Sequence, residues 1–178
     1  MDEGVRREML SFMPRLRRFS YGLTGSRDAG DDLMQATYER AIREIRRWQP
    51  GTRLDSWMYR IARNIHLNNL RALRVRGEHL APVELDHHAS IDGERVADSQ
   101  IAFGAVRDFM SRLPEEQRSI LLLVCVEGLS YKEVSELLDL PLGTIASRLG
   151  RARMALTALM EGDATLQRAG REAAAGGR

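Results

Sequence analysis

The residues that follow Pro50-Gly51-Thr52 constrain the fold of this chain most strongly. Between positions 54 and 65, apolar side chains recur at intervals of four, three and four residues, as Leu54, Met58, Ile61 and Ile65. That spacing places them on one face of an α-helix. The rest of the chain agrees, because leucine, alanine, arginine and glutamate are abundant and aromatic residues make up only 6%. We therefore predict an all-α protein with an aliphatic core.

The other face of this predicted helix carries different chemistry. Trp57, Arg60 and Asn64 lie on it, with Arg63 beside them. Such a face suits bases that have left a duplex, because aromatic rings stack on any base, arginine pairs with phosphate and amides bond base edges. The alternative is a core tryptophan beside solvated arginines, which is the ordinary burial habit of these residues.

Charge divides the chain into parts. Residues 1–76 hold 16 arginines and 9 acidic residues, a net charge of +7, whereas residues 77–104 carry −5 and residues 105–178 are neutral. The first part is predicted to bind a polyanion, although a GC-rich genome also favours arginine. We predict a helical domain over 1–76, a flexible acidic linker over 77–104, a second helical domain over 105–160 and a flexible tail over 161–178.

Caps and breaks set the predicted helix boundaries. Ser26 is expected to be an N-cap, and Ser130-x-x-Glu133 forms a capping box. Pro14 is expected to kink the first helix or to mark its start. The predicted inward residues of that helix are Met9, Met13, Leu16, Phe19 and Leu23. The predicted helices span residues 3–23, 27–48, 54–74, 113–126, 131–138 and 142–160.

The last two of these helices favour a helix-turn-helix, because only a short turn at Asp139-Leu140-Pro141 joins them. In the second helix of the pair, the predicted inward residues are Ile145, Leu149, Ala152 and Leu156. The outward residues are then Thr144, Ser147, Arg148 and Arg151, with Arg153 near the flank. No acidic residue occurs between positions 142 and 159, so this face is predicted to enter a DNA groove. The alternative is an α-hairpin that packs on another surface.

Several functional classes are not expected. Cys125 is the only cysteine, so no intramolecular disulfide can form, and we expect it to be a buried small hydrophobe. The N-terminus lacks the apolar segment of a signal peptide, which favours a cytoplasmic protein without membrane insertion. No Gly-rich phosphate loop, nucleophile constellation or metal-ligand spacing is present, so we predict a non-enzyme without cofactor or metal.

Two motifs resemble one known family. Residues 128–134, Gly-Leu-Ser-Tyr-Lys-Glu-Val, followed by residues 140–153, resemble region four of the extracytoplasmic-function (ECF) sigma factors of bacterial RNA polymerase. Residues 31–40 and 48–71 resemble their region two. Residues 14–19 are most similar to the general-stress ECF factors of alphaproteobacteria. The resemblance implies an alternative sigma factor that binds core RNA polymerase and directs promoter-specific transcription initiation, here of stress-response genes.

The resemblance also implies roles for individual residues. Polymerase binding would use the second helix, at Asp31, Asp32, Leu33, Gln35 and Glu39. Capture of a flipped minus-ten base and grip on the melted strand would use Gln49, Gly51, Thr52, Arg53, Asp55, Trp57, Arg60, Arg63 and Asn64. Contact with the minus-thirty-five element would use Thr144, Ser147, Arg148, Arg151 and Arg153. Ala146 and Gly150 depart from the family pattern, in which the first is often basic and the second bulkier.

The implied partners are core RNA polymerase, promoter DNA and an anti-sigma factor that holds the protein inactive. Two rival interpretations remain. A sigma-mimicking anti-anti-sigma protein would bind an anti-sigma factor without touching DNA, but such regulators carry a receiver domain and do not need basic DNA-reading faces. A helix-turn-helix repressor would leave the region-two motif unexplained.

Overall fold

The computed structural model describes residues 2–77 and 110–175, with side chains described up to position 158. Its helices are α1 (Glu3–Thr24), α2 (Arg27–Glu44), α3 (Leu54–Val75), α4 (Glu115–Leu121), α5 (Tyr131–Leu138) and α6 (Leu142–Ala175). No β-strand occurs in the described ranges, and the prediction of an all-α fold is confirmed. The predicted linker lies outside the described residues except for Gly77. Residues 2–77 are called the N-terminal unit below, and residues 110–175 the C-terminal unit.

The break between α1 and α2 forms as its residues predict. Gly25 ends α1 with a φ of 71°, in the left-handed region where glycine has no steric penalty, and its N–H donates to the carbonyl of Tyr21. The Ser26 hydroxyl then accepts from the N–H of Ala29 at 3.4 Å as the N-cap of α2. Pro14 lies inside α1, which begins eleven positions earlier at Glu3 and not at the proline.

The buried core of the described residues is mostly aliphatic, as predicted, with one aromatic cluster in the N-terminal unit. Tyr59 of α3 is fully buried between Phe12 and Phe19 of α1, with ring centroids 4.9 and 4.8 Å apart and edge-to-face geometry. Phe12 takes the inward position predicted for Met13, which is 36% exposed. The reason is helical spacing, because residues 9, 12, 16, 19 and 23 form one continuous stripe that excludes position 13.

The end of α4 departs from α-helical geometry. Leu122–Val126 form a π-helical turn, and the N–H of Glu127 donates to the carbonyl of Leu122 at 2.9 Å. This wider turn leaves Cys125 and Val126 exposed, whereas Leu123 is fully buried. The expectation that Cys125 is buried is therefore wrong, because the apolar run is longer than the face that the fold can cover.

The helix-turn-helix has the predicted caps and inward stripe. Ser130 and Glu133 form the capping box of α5, and Asp139 ends that helix in the left-handed region with a φ of 54°. In α6, the predicted inward residues Ile145, Leu149 and Ala152 are buried, and Leu156 is half-buried. This helix extends to Ala175, beyond the predicted end at position 160, because the added stretch is rich in alanine and other strong helix formers.

The two units pack directly on each other. Helix α1 contacts α4 and the π-helical turn, and α3 contacts α5. Gly22 of α1 lies against Leu122, and the Arg118 guanidinium of α4 donates to the carbonyl of Leu23 at 2.7 Å. We call this packing of the C-terminal unit on α1 and α3 the closed arrangement.

Candidate nucleic-acid interface

The loop before α3 forms one wall of an open pocket of about 620 Å³. The hydroxyl of Thr52 donates to the carbonyl of Gln49 at 2.7 Å, and Gly51 has a φ of 87° that favours glycine. Trp48 and Trp57 line the same pocket, and side chains of α5 close its far side. The loop is therefore compact and presents backbone groups toward a space large enough for a base.

The two tryptophans serve the pocket differently. Trp57 is half-buried and packs partly on the core, so it forms a wall of the pocket rather than a free stacking platform. The indole Nε1 of Trp48 is buried and has no hydrogen-bond partner within the described ranges. An unpaired buried donor costs about 1–3 kcal/mol, which an acceptor on a ligand in this pocket would recover. Trp48 was not among the site residues predicted from the sequence.

Arg53 and Asp55 bond each other at the start of α3. The guanidinium makes two hydrogen bonds to the carboxylate, at 3.0 and 2.7 Å, and it also pairs with Glu133 of α5. Burial opposes ionisation of Asp55, but the bonds from Arg53 outweigh it and hold the pKa of Asp55 below its ordinary value. Both predicted site residues are thus engaged in the closed arrangement.

The C-terminal unit contacts the arginines of the predicted single-strand face of α3. Nε and Nη2 of Arg60 donate to the carbonyls of Leu137 at 2.8 Å and Glu136 at 3.0 Å. Arg63 donates to the hydroxyl of Ser119 at 3.2 Å, and burial lowers the pKa of Arg63. Asn64 is exposed. Arg60 therefore keeps exposed surface while it bonds α5, and Arg63 is half-buried against α4.

The corresponding face of α6 is more open. Ser147, Arg151 and Arg153 are exposed, and Arg151 donates to the Ser147 hydroxyl at 3.2 Å. Thr144 is half-buried. Arg148 has a side chain only 23% exposed and pairs with Glu116 of α4 at 2.8 Å. The five predicted residues thus lie along one helix, but their solvent exposure differs.

The residues predicted to bind polymerase divide into exposed and buried ones. Asp32, Gln35 and Glu39 are exposed along α2, where Gln35 donates to Glu39 at 3.1 Å. Asp31 accepts from Arg17 and Tyr21, and these bonds hold its pKa below the ordinary value. Leu33 is 4% exposed within the core. It is a packing residue that supports α2 and does not lie on the exposed docking surface.

One buried acid was missed in the sequence. The side chain of Glu127 has no exposed surface and accepts hydrogen bonds from Tyr59 at 2.5 Å and from Arg18 at 3.0 and 3.1 Å. Arg15 adds a bond of 3.3 Å. Burial first, and then the bond to this carboxylate, raise the pKa of Tyr59. A glutamate before glycine at a helix end is typical of an exposed position, so no sequence signal marked it.

Two helical units, the second a helix-turn-helix with exposed arginines, define a class of DNA-binding regulator. Comparison with known proteins specifies that class. The family description Sigma-70, region 4, matches residues 103–156, and the Sigma2 domain of PhyR matches residues 9–63. The chain is 32% identical over 160 residues to the ECF RNA polymerase sigma factor EcfG of Rhodopseudomonas palustris, covering 90% of this chain and 87% of that protein. The chain belongs to the ECF RNA polymerase sigma factors.

Solved structures show the same fold. The sigma factor RpoE from Bartonella quintana, in complex with the anti-sigma factor NepR, matches with a TM-score of 0.71 and 24% identity, over 90% of this chain and 98% of RpoE. The anti-anti-sigma factor PhyR from the same organism matches with a TM-score of 0.53 and 19% identity, over 85% of this chain and 49% of PhyR. At these identities the likeness extends to the fold alone.

The family assignment confirms the prediction of a transcription factor and disfavours a simple helix-turn-helix repressor, since both units match. As a family, sigma factors are DNA-binding regulators and not enzymes. Within residues 2–77 and 110–175, no helix has the length and apolar character needed to cross a bilayer.

Proposed function

We propose that this chain binds core RNA polymerase and directs initiation at stress-response promoters, with residues 1–76 opening the minus-ten element and residues 105–160 contacting the minus-thirty-five element. Its partners are core polymerase, promoter DNA and an anti-sigma factor, and it acts in the cytoplasm. The observation that carries the proposal is that one chain of this family has both a tryptophan-lined pocket beside α3 and exposed arginines on α6.

Base capture is supported by the chemistry of the pocket. Gly51 lets a base approach the loop backbone closely, Trp57 supplies an apolar wall and Trp48 supplies a buried donor without an acceptor. Unstacking one base costs a few kcal/mol, and stacking returns about 1–3 kcal/mol per base. Because the gain from stacking barely offsets the cost of unstacking, base capture alone binds DNA weakly. A second DNA contact on the same chain strengthens binding, because tethering makes the second binding event intramolecular.

That second contact is proposed for α6. Arg151 lies on the side of α6 away from the buried residues Ile145 and Leu149, and Arg153 is exposed at the edge of that buried stripe. Arg151 can therefore face a major groove while the stripe stays packed. The absence of acidic residues from the first turn leaves the positive end of the helix dipole free to meet phosphate. Asp32, Gln35 and Glu39 form the polymerase contact proposed on α2.

A second candidate function is supported by the match to the Sigma2 domain of PhyR. On that alternative the chain would sequester an anti-sigma factor and would not direct transcription itself. The exposed arginines of α6 favour the DNA-binding function, because a protein that only mimics a sigma factor has no need of a basic groove-reading helix.

Run-off transcription with purified core polymerase on a genomic promoter pool tests the proposal. The wild-type chain is expected to produce promoter-specific transcripts, and no transcripts with core binding intact would favour the anti-sigma-sequestering alternative. Replacing Arg60 and Asn64 by alanine should slow opening, and a pre-melted promoter bubble should rescue it, because their partners exist only in single-stranded DNA.

Arg151→Ala is the matched variant on the other unit. It should weaken closed-complex formation and lower the salt slope of binding by about one, and a pre-melted bubble should not rescue it. Permanganate reactivity of minus-ten thymines reports opening, and filter binding at several salt concentrations reports the closed complex. The same response of both variants to the bubble would contradict the division of roles between the units.

A further inference from the structure

The end of α2 concentrates positive charge beside the tryptophan-lined pocket. Residues 40–48 hold four arginines and one acidic residue, a net charge of +3. Ile45 and Trp48, in the turn that follows α2, pack against the core, and the N–H of Trp48 donates to the carbonyl of Ile45 at 3.1 Å. Because these two side chains are held inward, the neighbouring side chains of Arg43, Arg46 and Arg47 are left exposed.

These exposed arginines differ in their relation to the pocket. Arg47 lines it, together with Trp48, whereas Arg46 does not. The carboxylate of Glu44 bonds Arg40 at 3.1 Å and lies 3.5 Å from Arg47, whose side chain is 77% exposed. An exposed pair at that distance is weak, so the Arg47 guanidinium at the rim of the pocket remains available to another anion.

Arg43 extends this positive charge away from the pocket. It lies four residues before Arg47 and therefore on the same side of the helix, about 5.4 Å further along its axis. Within the described parts of the chain, its guanidinium has no hydrogen-bond or ion-pair partner. The dipole of α2 favours a cation in the last turn, such as Arg43, but that effect falls off beyond the turn and does not account for Arg47.

We propose that Arg47 and Arg43 bind two neighbouring phosphates of the strand whose base enters the pocket. This inference rests on the proposed function for the identity of that strand. Each guanidinium offers parallel N–H donors that match two phosphate oxygens. The captured nucleotide is then held from two helices, with its base between the loop and α3 and its backbone on the end of α2.

A direct phosphate contact can be separated from general attraction of DNA to a basic surface. Each phosphate that the protein neutralises on a single strand adds about 0.7 to the slope of log affinity against log salt concentration. Arg46 and Arg47 are consecutive, carry the same charge and are both exposed, but only Arg47 lines the pocket. General attraction treats the two alike, whereas the proposed contact uses Arg47 and not Arg46.

The test measures how the holoenzyme, formed from core polymerase and the full chain, binds a fluorescein-labelled single strand. The strand carries the minus-ten element of a promoter found by run-off transcription, and fluorescence anisotropy reports binding. Arg47→Ala and Arg43→Ala should each lower the salt slope by about 0.7, so the advantage of wild type shrinks about 2.6-fold between about 50 and 200 mM salt. The matched control Arg46→Ala and the charge-retaining variant Arg47→Lys should keep the wild-type slope.

Neutral linkages in the strand supply the second readout. Methylphosphonate replaces one phosphate at a time on either side of the captured base, which removes its charge and keeps the chain length. The linkage that contacts Arg47 should weaken binding of wild type but should not weaken Arg47→Ala further, because that variant already lacks the contact. Arg43→Ala should show the same non-additivity at the neighbouring linkage. Circular dichroism and affinity for core polymerase check that each variant is folded and still docks.

Three results would overturn the inference. One is an equal loss of salt slope in Arg46→Ala and Arg47→Ala, and another is additive losses at every linkage tested. The third is weaker binding of Arg47→Ala to core with an unchanged slope, which would place this residue on the polymerase contact. Failure of wild type to bind core would instead refute the proposed sigma function, and the same titrations with the free chain would still decide whether Arg47 and Arg43 bind phosphate.

Discussion

The arginines of α3 and the arginines of α6 begin from the same sequence pattern and reach different environments. Both sets lie opposite an apolar stripe at helical spacing. In the structure, Arg60 and Arg63 donate to groups of the C-terminal unit, whereas Arg151 donates to Ser147 of its own helix. Periodicity therefore identifies which face of a helix is polar, but it does not say whether another part of the chain bonds that face.

On the proposed function, this difference has a consequence. Arg151 would meet duplex DNA directly, whereas Arg60 and Arg63 would first exchange protein oxygens for phosphate oxygens. Duplex contact would then precede contact with the melted strand. Variants that act on one helix and spare the other can test the comparison.

The largest expected effect lies beneath the α6 face. Leu149 is 1% exposed, so Leu149→Ala should lower the free energy of unfolding by about 2–5 kcal/mol through lost burial and an unfilled cavity. Met154→Ala on the same helix is the control, because that side chain is 74% exposed and its loss should stay within about 0.5 kcal/mol. Urea denaturation followed by circular dichroism measures both. A cost below about 1 kcal/mol for Leu149→Ala would show that the stripe is not packed.

The second effect compares the two arginine faces directly. Arg63→Ala should lower the free energy of unfolding by about 1–3 kcal/mol, because it removes a half-buried side chain and its bond to Ser119. Arg151→Ala should change it by no more than about 0.5 kcal/mol, since that residue is exposed. Equal losses of unfolding free energy for the two variants in matched urea titrations would contradict the claim that the rest of the chain packs on α3 arginines but not on Arg151.

The smallest effect concerns the starts of the two helices. Asp55 lies in the first turn of α3, and its pKa is lowered from 3.8, whereas α6 has no acid in its first turn. A carboxyl with a lowered native pKa adds stability that is present above pH about 4 and is lost as pH falls through the native value. Asp55→Asn should therefore make unfolding less dependent on pH in that acid range, by no more than about 1 kcal/mol because Arg53 is partly exposed.

Added salt is the control for the measured pH dependence of unfolding. The pairing of Asp55 with Arg53 is partly open to solvent, so about 1 M sodium chloride should reduce the difference between wild type and Asp55→Asn. An acid dependence that is identical in the two proteins at low salt would mean that Asp55 does not contribute to it.

Local signals in the sequence were sufficient for the helices and for most of their boundaries. Gly25 and Ser26 separate α1 from α2, and the capping box begins α5, because these residues act on the backbone within a few positions of themselves. The inward stripe of α6 was predictable for the same reason. The end of α6 was not, because a helix rich in alanine has no sharp stop signal.

The sequence by itself determined the helices, the two polar faces and the family, since each depends on spacing along one segment or on a motif. Only the tertiary structure decided that Glu127 is buried among Tyr59, Arg15 and Arg18, that Cys125 is exposed and that the arginines of α3 bond the C-terminal unit. The bonds of Glu127 and of the α3 arginines connect residues more than fifty positions apart in the sequence. Their physical cause is the balance between desolvation and pairing of charges in a particular packing, which no local pattern contains.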